Sequence, residues 1–327
     1  MLLSLFSGKN DLLLFGVFGV IIVAFLIVDL GIFHKQHEKV SQKEALKQSI
    51  FWVLVSVAYG ILIYFYGAGG AATLEFFSAY VTEKALSVDN IFVILLILRY
   101  FKVKEEYYHN ILFWGILGAI VFRAVFIFVG ALLISQFHWI LYVFGVFLVY
   151  SGIKLFGDDE EMELEPEKNP LLRIAKKILP ISTEDRGGKF WFREKGKLWF
   201  TPLFLVIVLI ESTDLIFAVD SIPAAFAITQ DEFVIYTSNI FAVMGLRAMF
   251  FLLANVLDKF YLLQKGLSVV LIFIGAKMLA EIFHLKIPIF VSFGIIIGSL
   301  VLAIVLSFMF PKDKDKTPDV AVGPDAE

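Results

Sequence analysis

Two stretches of this chain place acidic residues at matched spacing inside apolar surroundings. The first runs Glu83-Lys-Ala-Leu-Ser-Val-Asp89-Asn90-Ile91, and the second Asp214-Leu-Ile-Phe-Ala-Val-Asp220-Ser221-Ile222. Each has an acid, five residues, a second acid, an amide or hydroxyl, then Ile. Glu211 and Asp29 lie at comparable apolar depth. All of these are oxygen donors. Oxygen sites suit Mg²⁺, Ca²⁺ and Mn²⁺, whereas zinc and copper favour imidazole or thiolate. The absence of cysteine excludes disulfides, thiolate zinc, iron–sulfur clusters and cysteine nucleophiles. The five histidines, His34, His37, His109, His138 and His284, fall in or near expected loops. The residue types therefore point to a hard divalent cation held by Glu83, Asp89, Asn90, Asp214, Asp220 and Ser221, with Glu211 and Asp29 nearby.

Basic residues share that depth: Lys84, Arg123, Lys154, Arg247 and Lys277. A lone charge at the bilayer centre costs about 2.5–3.5 kcal/mol on insertion scales, so each must meet protein, water or a partner. Arg123, Arg247, Lys154 and Lys277 are read as charge-balancing groups. They neutralise the carboxylates when the site is empty and release them when a cation arrives. The plainer reading is a set of structural ion pairs or snorkelling side chains. A carboxylate that trades metal for a proton would make protons the counter-ion, which the sequence permits without showing.

These residues must be positioned by helices. The chain has 327 residues, 59% of them hydrophobic, and a mean hydropathy of +0.85. A soluble domain of this size could not hide that much apolar surface, so the expected class is an all-α polytopic membrane protein in a lipid bilayer. Apolar runs at roughly 12–33, 50–66, 74–98, 111–134, 139–156, 200–222, 234–257, 266–283 and 287–310 give about nine transmembrane helices. The N-terminus lacks a basic region followed by an A-x-A site, so its first run is expected to be a retained span. Odd-numbered loops and the C-terminal tail hold 21 Lys and Arg, against two, Lys9 and Lys286, in the N-terminus and even loops. That split places the N-terminus outside and the C-terminus in the cytoplasm. The net charge of −3 gives no pointer to nucleic acid.

The acidic segments belong to a longer repeat. Phe122-Arg123-Ala124-Val125-Phe126 matches Leu246-Arg247-Ala248-Met249-Phe250, and Gly152-Ile153-Lys154-Leu155 matches Gly275-Ala276-Lys277-Met278. Helices 3–5 and 6–8 thus look like two copies of one unit. Three is odd, so the copies cross the membrane in opposite senses, an inverted repeat with a site near the midplane. The implied divisions are 1–70 (helices 1 and 2), 71–156 (first repeat), 157–199 (cytoplasmic loop), 200–284 (second repeat), 285–310 (helix 9) and 311–327 (disordered cytoplasmic tail). Residues six apart on a straight helix point about 120° apart. One shared site therefore calls for broken or bent acidic segments, and Pro223, which cannot bond the carbonyl of Val219, marks such a place.

The loop begins with Asp158, Asp159, Glu160, Glu161, Glu163, Glu165 and Glu167, a run best read as solvated self-repelling charge. Leu171 to Leu179 is short and amphipathic and is expected on the inner membrane surface. Phe190-Trp191-Phe192 and Trp199-Phe200 are expected at the interface.

Glu83 to Asn90 and Glu211-Ser-Thr-Asp-Leu-Ile-Phe-Ala-Val-Asp-Ser-Ile-Pro-Ala224 resemble the signature segments of the TerC/Alx family. Val28-Asp-Leu-Gly-Ile-Phe-His34 and Lys43-Glu-Ala45 resemble its first span and loop. The family was named for tellurium resistance and is similar to the LysE-type exporters. The resemblance implies Mn²⁺ as the transported substrate, exported from the cytoplasm across a bacterial inner membrane. Two other readings stand beside it: a non-transporting membrane scaffold, assembly or stress factor, and a tellurite-resistance protein with Arg123 and Arg247 on an oxyanion. No nucleophile–base pair, phosphate loop or zinc motif suggests an enzyme, and no permanently bound cofactor is expected.

Overall fold

The computed structural model describes residues 11–33, 41–137, 139–157, 169–182, 187–194, 196–254, 262–283, 285 and 287–310. The acidic run, the tail, and His34, His37, His138 and His284 lie outside the described residues. So do the side chains of Asp29 and Asp89.

The chain is helical nearly throughout. In order come α1 (Asp11–Phe33), α2 (Gln42–Tyr66), α3 (Gly70–Tyr100), α4 (Tyr108–Gln136), α5 (Ile140–Gly157), α6 (Pro170–Ile178), β1 (Trp191–Glu194), β2 (Lys197–Phe200), α7 (Pro202–Ile228), α8 (Glu232–Met244), α9 (Leu246–Leu253), α10 (Leu263–Ala280) and α11 (Ile289–Met309). The boundaries follow local chemistry. Ser41 caps α2 through a reciprocal box with Glu44. Asn169 caps α6 ahead of Pro170, and Asp231 accepts from the amides of Phe233 and Val234 in the first turn of α8. Pro202 opens α7.

Six of the described helices are long and apolar enough to cross a membrane: α2, α4 with its leading turn, α5, α7, α10 and α11. The pair α8 and α9, bent by 40° at Gly245, makes a seventh if counted as one span. The apolar runs of the sequence number nine, α1 and α3 being the additional two. Composition alone does not carry those two. The described apolar part of α1 is only Leu13–Ile27. Helix α3 has 31 residues but carries Glu75, Glu83, Lys84, Asp89 and Arg99.

Helix α3 packs on α7 and α8, α4 packs on the same two, and α5 has its main contact with α10. Helices α5 and α10 run antiparallel at close approach. A Cβ on Gly275 would sit 2.6 Å from the carbonyl of Gly145, and one on Gly152 would sit 2.9 Å from the carbonyl of Ser268. Aligning the matched sequence segments sets Gly152 against Gly275 and Gly145 against Ser268, so these two contacts fall at corresponding positions. Buried Phe, Ile and Leu side chains fill two clusters, one around α3, α4, α7 and α8 and one around α5, α7, α10 and α11.

The 157–199 segment contains more than an amphipathic stretch. β1 and β2 form an antiparallel hairpin with Trp191 opposite Phe200, turned through Gly196 at φ 79°. Helix α6 does not lie apart from the bundle. It runs back along the start of α7, with Leu172 and Ala175 packed on Leu205 and Val208. Beyond α6, the amides of Ser182 and Phe200 bond the carbonyls of Phe200 and Pro180. Leu171, Ile174 and Ile178 are its exposed apolar residues.

Candidate functional site

The two acid-bearing helices meet in the interior. Arg123 of α4 reaches between them: Nη1 donates to Glu83 Oε1 of α3 and, at 3.1 Å, to Asn239 Oδ1 of α8. Its Nη2 donates to Asp214 Oδ1 of α7 at 3.4 Å. Arg123 is 1% exposed and Glu83 2%. Asn90 Nδ2 donates to the same Asp214 oxygen at 3.2 Å. Ser221 is buried with its hydroxyl close to the Glu83 carboxylate, though without a hydrogen bond of normal geometry. In the sequence alignment that sets Glu83 against Asp214, Asn90–Asp214 and Ser221–Glu83 fall at corresponding positions. Two carboxylates against one guanidinium leave this buried cluster one negative charge in excess when all three are ionised.

The expected break in the acidic segments is not there. Helix α3 is continuous from Gly70 to Tyr100, and α7 from Pro202 to Ile228 with Pro223 inside. A missing N–H costs one bond, and dense packing of Ala218, Ile222, Pro223, Ala224 and Ala225 holds the helix across it. With α7 unbroken, Asp214 and Asp220 point to different neighbours. Asp220 Oδ1 accepts from Ser151 Oγ of α5 at 2.9 Å, with Lys154 nearby. The interruption falls instead at Gly245, between Asn239 and Arg247. A Cβ there would sit 2.6 Å from Lys84 Nζ.

Glu211 occupies a notch in α4. A side chain at Gly118 would collide with its carboxylate, and Gly115 lies beside it. Both Glu211 oxygens are buried with no hydrogen-bond partner among the described residues, as are Asp214 Oδ2 and Asn90 Oδ1. Next to them is a void of about 20 Å³ lined by Asn90, Gly115, Thr213 and Asp214 among apolar residues, room for one small species. Among the described residues no group of three His, Asp or Glu is arranged to hold a metal. The guanidinium of Arg123 stands between the two acids instead.

The charge-balancing candidates scatter. Arg123 is at the centre, Lys154 is beside Asp220, and Lys277 is near Glu281 and Glu75. Arg247 is buried at the start of α9 near His109. Three residues escaped the sequence reading. Asn239 was legible as an amide within the apolar run of α8. Ser151 was a lone hydroxyl in α5. Glu75 sits on the first turns of α3, where a charge reads as interfacial. At that end of the bundle, Glu75, Thr229, Gln230, Lys277 and Glu281 line an open polar cavity of about 200 Å³, with Thr229 Oγ1 donating to Glu75 at 2.6 Å.

Sequence comparison with known proteins finds relatives over most of the chain. Residues 68–315 match the model of the integral membrane protein TerC family. An uncharacterised membrane protein of Rickettsia bellii is 43% identical over 291 residues, covering 89% of this chain and 95% of the relative. A protein of Photorhabdus laumondii, described as a candidate membrane-bound redox modulator, Alx, is 42% identical over 92% of this chain and 96% of its own. A Salmonella typhi protein of the same description is 41% identical, with 93% and 96% covered. No solved structure matches the chain.

Proposed function

The chain belongs to the integral membrane protein TerC family, and on that premise we propose that it exports Mn²⁺ through the Glu83–Asp214 cluster. The observation that carries this reading is the buried meeting of two repeated acidic helices around one arginine. A cation entering the void beside Asn90 and Asp214 would meet the spare oxygens Asp214 Oδ2, Asn90 Oδ1 and Glu211. It would displace Arg123, whose positive charge holds the carboxylates in its absence. All donors are oxygens, which favours a hard cation over zinc or copper. The resemblance to the family supplies manganese among the hard cations. Asp220, beside Ser151 of α5, extends the acidic set along the path, and protons are the proposed counter-ion.

The exchanged contacts Asn90–Asp214 with Ser221–Glu83, and Gly145–Gly275 with Gly152–Ser268, support an inverted repeat. Nine crossings, an external N-terminus and a cytoplasmic C-terminus in a bacterial inner membrane complete the proposal. It puts α6 and the hairpin on the cytoplasmic side and the Glu75 cavity outside. Relatives bear a redox description, but this chain has no thiol with which to exchange electrons. The test is ⁵⁴Mn uptake into inside-out vesicles. Uptake should depend on the chain, be lost in Glu83→Gln, and compete with neither Zn²⁺ nor Cu²⁺. Equal uptake by vesicles with and without the chain sinks the reading.

A further inference from the structure

Helix α6 stands beside α7 rather than flat on the membrane. Asn169 Nδ2 donates to Ser212 Oγ at 2.8 Å. Further along, Leu172 and Ala175 pack with Leu205 and Val208. Beyond α6, the amide of Ser182 bonds the carbonyl of Phe200. Going from Asn169 to Ser182 thus runs back from Ser212 to Phe200, so α6 is antiparallel to the first turns of α7. With 27 residues, α7 is about 40 Å long, against about 30 Å of hydrocarbon. Ser212 lies ten residues beyond Pro202, about 15 Å along the axis. Even with the whole excess of about 10 Å at this end, Ser212 is inside the hydrocarbon. The start of α6, joined to it, therefore dips into the leaflet.

The helix has three sectors. At about 100° per residue, Leu172 and Ala175 form the sector docked on α7. Leu171, Ile174 and Ile178 fall within one arc of about 60° beside it and are exposed, Ile178 at 71%. Arg173, Lys176 and Lys177 take the opposite side and are exposed as well. A second marker fixes the depth. Exposed Trp114 of α4 meets exposed Trp191 of β1, ring centroids 6.2 Å apart. Trp114 lies four residues before Gly118, whose notch holds Glu211, and Leu205 lies six before Glu211. These helices run parallel, so Trp114 and Leu205 stand about 6 and 9 Å to the same side of that contact. Tryptophan favours the headgroup level, which puts the basic side of α6 there too.

We infer that α6, with the hairpin beside it, is a binding surface for anionic phospholipid. Acyl chains lie against Leu171, Ile174 and Ile178, and the headgroup phosphate takes Arg173, Lys176 and Lys177, whose long stems snorkel to it. Charge complementarity selects the headgroup. Residues 169–200 hold eight basic side chains against three acidic, Glu184, Asp185 and Glu194. A zwitterionic headgroup brings its own cation to these groups, whereas an anionic one does not. Each Lys or Arg near an anionic surface therefore adds to the preference. This binding is independent of what the chain transports.

The chain has no native cysteine, so Ile174→Cys carries a single fluorophore. The labelled full chain is placed in phosphatidylcholine nanodiscs. A minor fraction of the lipid is phosphatidylcholine or phosphatidylglycerol bearing a nitroxide near the top of one acyl chain. The phosphatidylglycerol form should quench the label at a mole fraction about fivefold lower, the preference that one basic residue at a membrane surface gives. Arg173→Gln with Lys176→Gln and Lys177→Gln should bring the two lipids to parity. Arg173→Lys with Lys176→Arg and Lys177→Arg should keep the preference. A preference that survives the Gln substitutions overturns the assignment of the headgroup to these three residues. Equal quenching by both lipids before any charge is removed overturns the selectivity for anionic headgroups. Quenching by aqueous iodide and by neither lipid would put the face in water, open to a protein or a second copy, and overturns lipid docking altogether.

Discussion

Asp214 and Asp220 lie six residues apart on one unbroken helix and face different partners. Asp214 meets Arg123 and Asn90, whereas Asp220 meets Ser151 of α5. A period of 3.6 residues per turn forces that divergence. On the proposed efflux reading, the two acids would serve successive points on one path rather than a single coordination shell. Replacing either by Asn keeps size and removes one charge. Both Asp214→Asn and Asp220→Asn should abolish ⁵⁴Mn efflux with normal insertion. Ser151→Ala, which removes only one neutral donor, should slow efflux less than about tenfold. Full efflux by Asp220→Asn would take that residue out of the path.

Removing Arg123 tests its role as resident counter-charge. Arg123→Ala leaves Glu83 and Asp214 buried without compensation, a change that costs about 3–5 kcal/mol for buried pairs. Detergent-solubilised Arg123→Ala should melt far below the parent chain. The combination Arg123→Gln with Glu83→Gln removes one charge of each sign, so it should recover most of the melting temperature but no transport. Recovery of transport as well would mean that the pair is structural only.

Much of this was legible in the residue pattern. Charges inside apolar runs have few explanations, so Glu83, Asp214 and Arg123 stood out, and two of them proved to be ion-paired through the third. The helix geometry around them was less legible. Pro223 signalled a break, yet neighbours packed on both sides keep α7 whole, and the actual bend uses Gly245, a residue without distinguishing context in sequence. The count of spans was blurred because α3 mixes five charges into a long helix. Helix α6 was recognisable as amphipathic, but no periodicity tells which surface an apolar face covers. Its docking on Leu205 and the reach of Asn169 to Ser212 depend on tertiary fit.

Gly118 makes room for Glu211. An added Cβ would overlap the carboxylate, and the helix backbone cannot yield. Gly118→Ala should displace Glu211 from its notch. Efflux should fall at least about tenfold, although alanine raises intrinsic helix propensity by roughly 1 kcal/mol. Pairing Gly118→Ala with Glu211→Ala should restore expression and melting but not transport. An unaffected Gly118→Ala single variant, in both melting and efflux, would show that Glu211 is free to move elsewhere.

The glycine crossing of α5 and α10 tests the repeat itself. Gly152 and Gly275 align in sequence, and a Cβ at either would meet both backbone and a branched side chain of the opposite helix: Gly145 O at 2.6 Å and Val149 Cγ2 at 2.9 Å for Gly275, Ile272 Cγ1 at 2.7 Å and Ser268 O at 2.9 Å for Gly152. An added methyl at either should force the helices apart, costing about 1–3 kcal/mol as overpacking does. If the two contacts are one contact exchanged by an internal two-fold axis, Gly152→Ala and Gly275→Ala should lower the melting temperature by similar amounts. The sites lie seven residues apart along each helix, about 10 Å, so the double variant should lose close to the sum. Gly157→Ala is the control, since nothing lies within 4 Å of a Cβ there, and its melting should not drop. Strongly unequal losses at Gly152 and Gly275 would show that the matched sequences pack in unlike ways, and the two-fold relation drawn from them would fall.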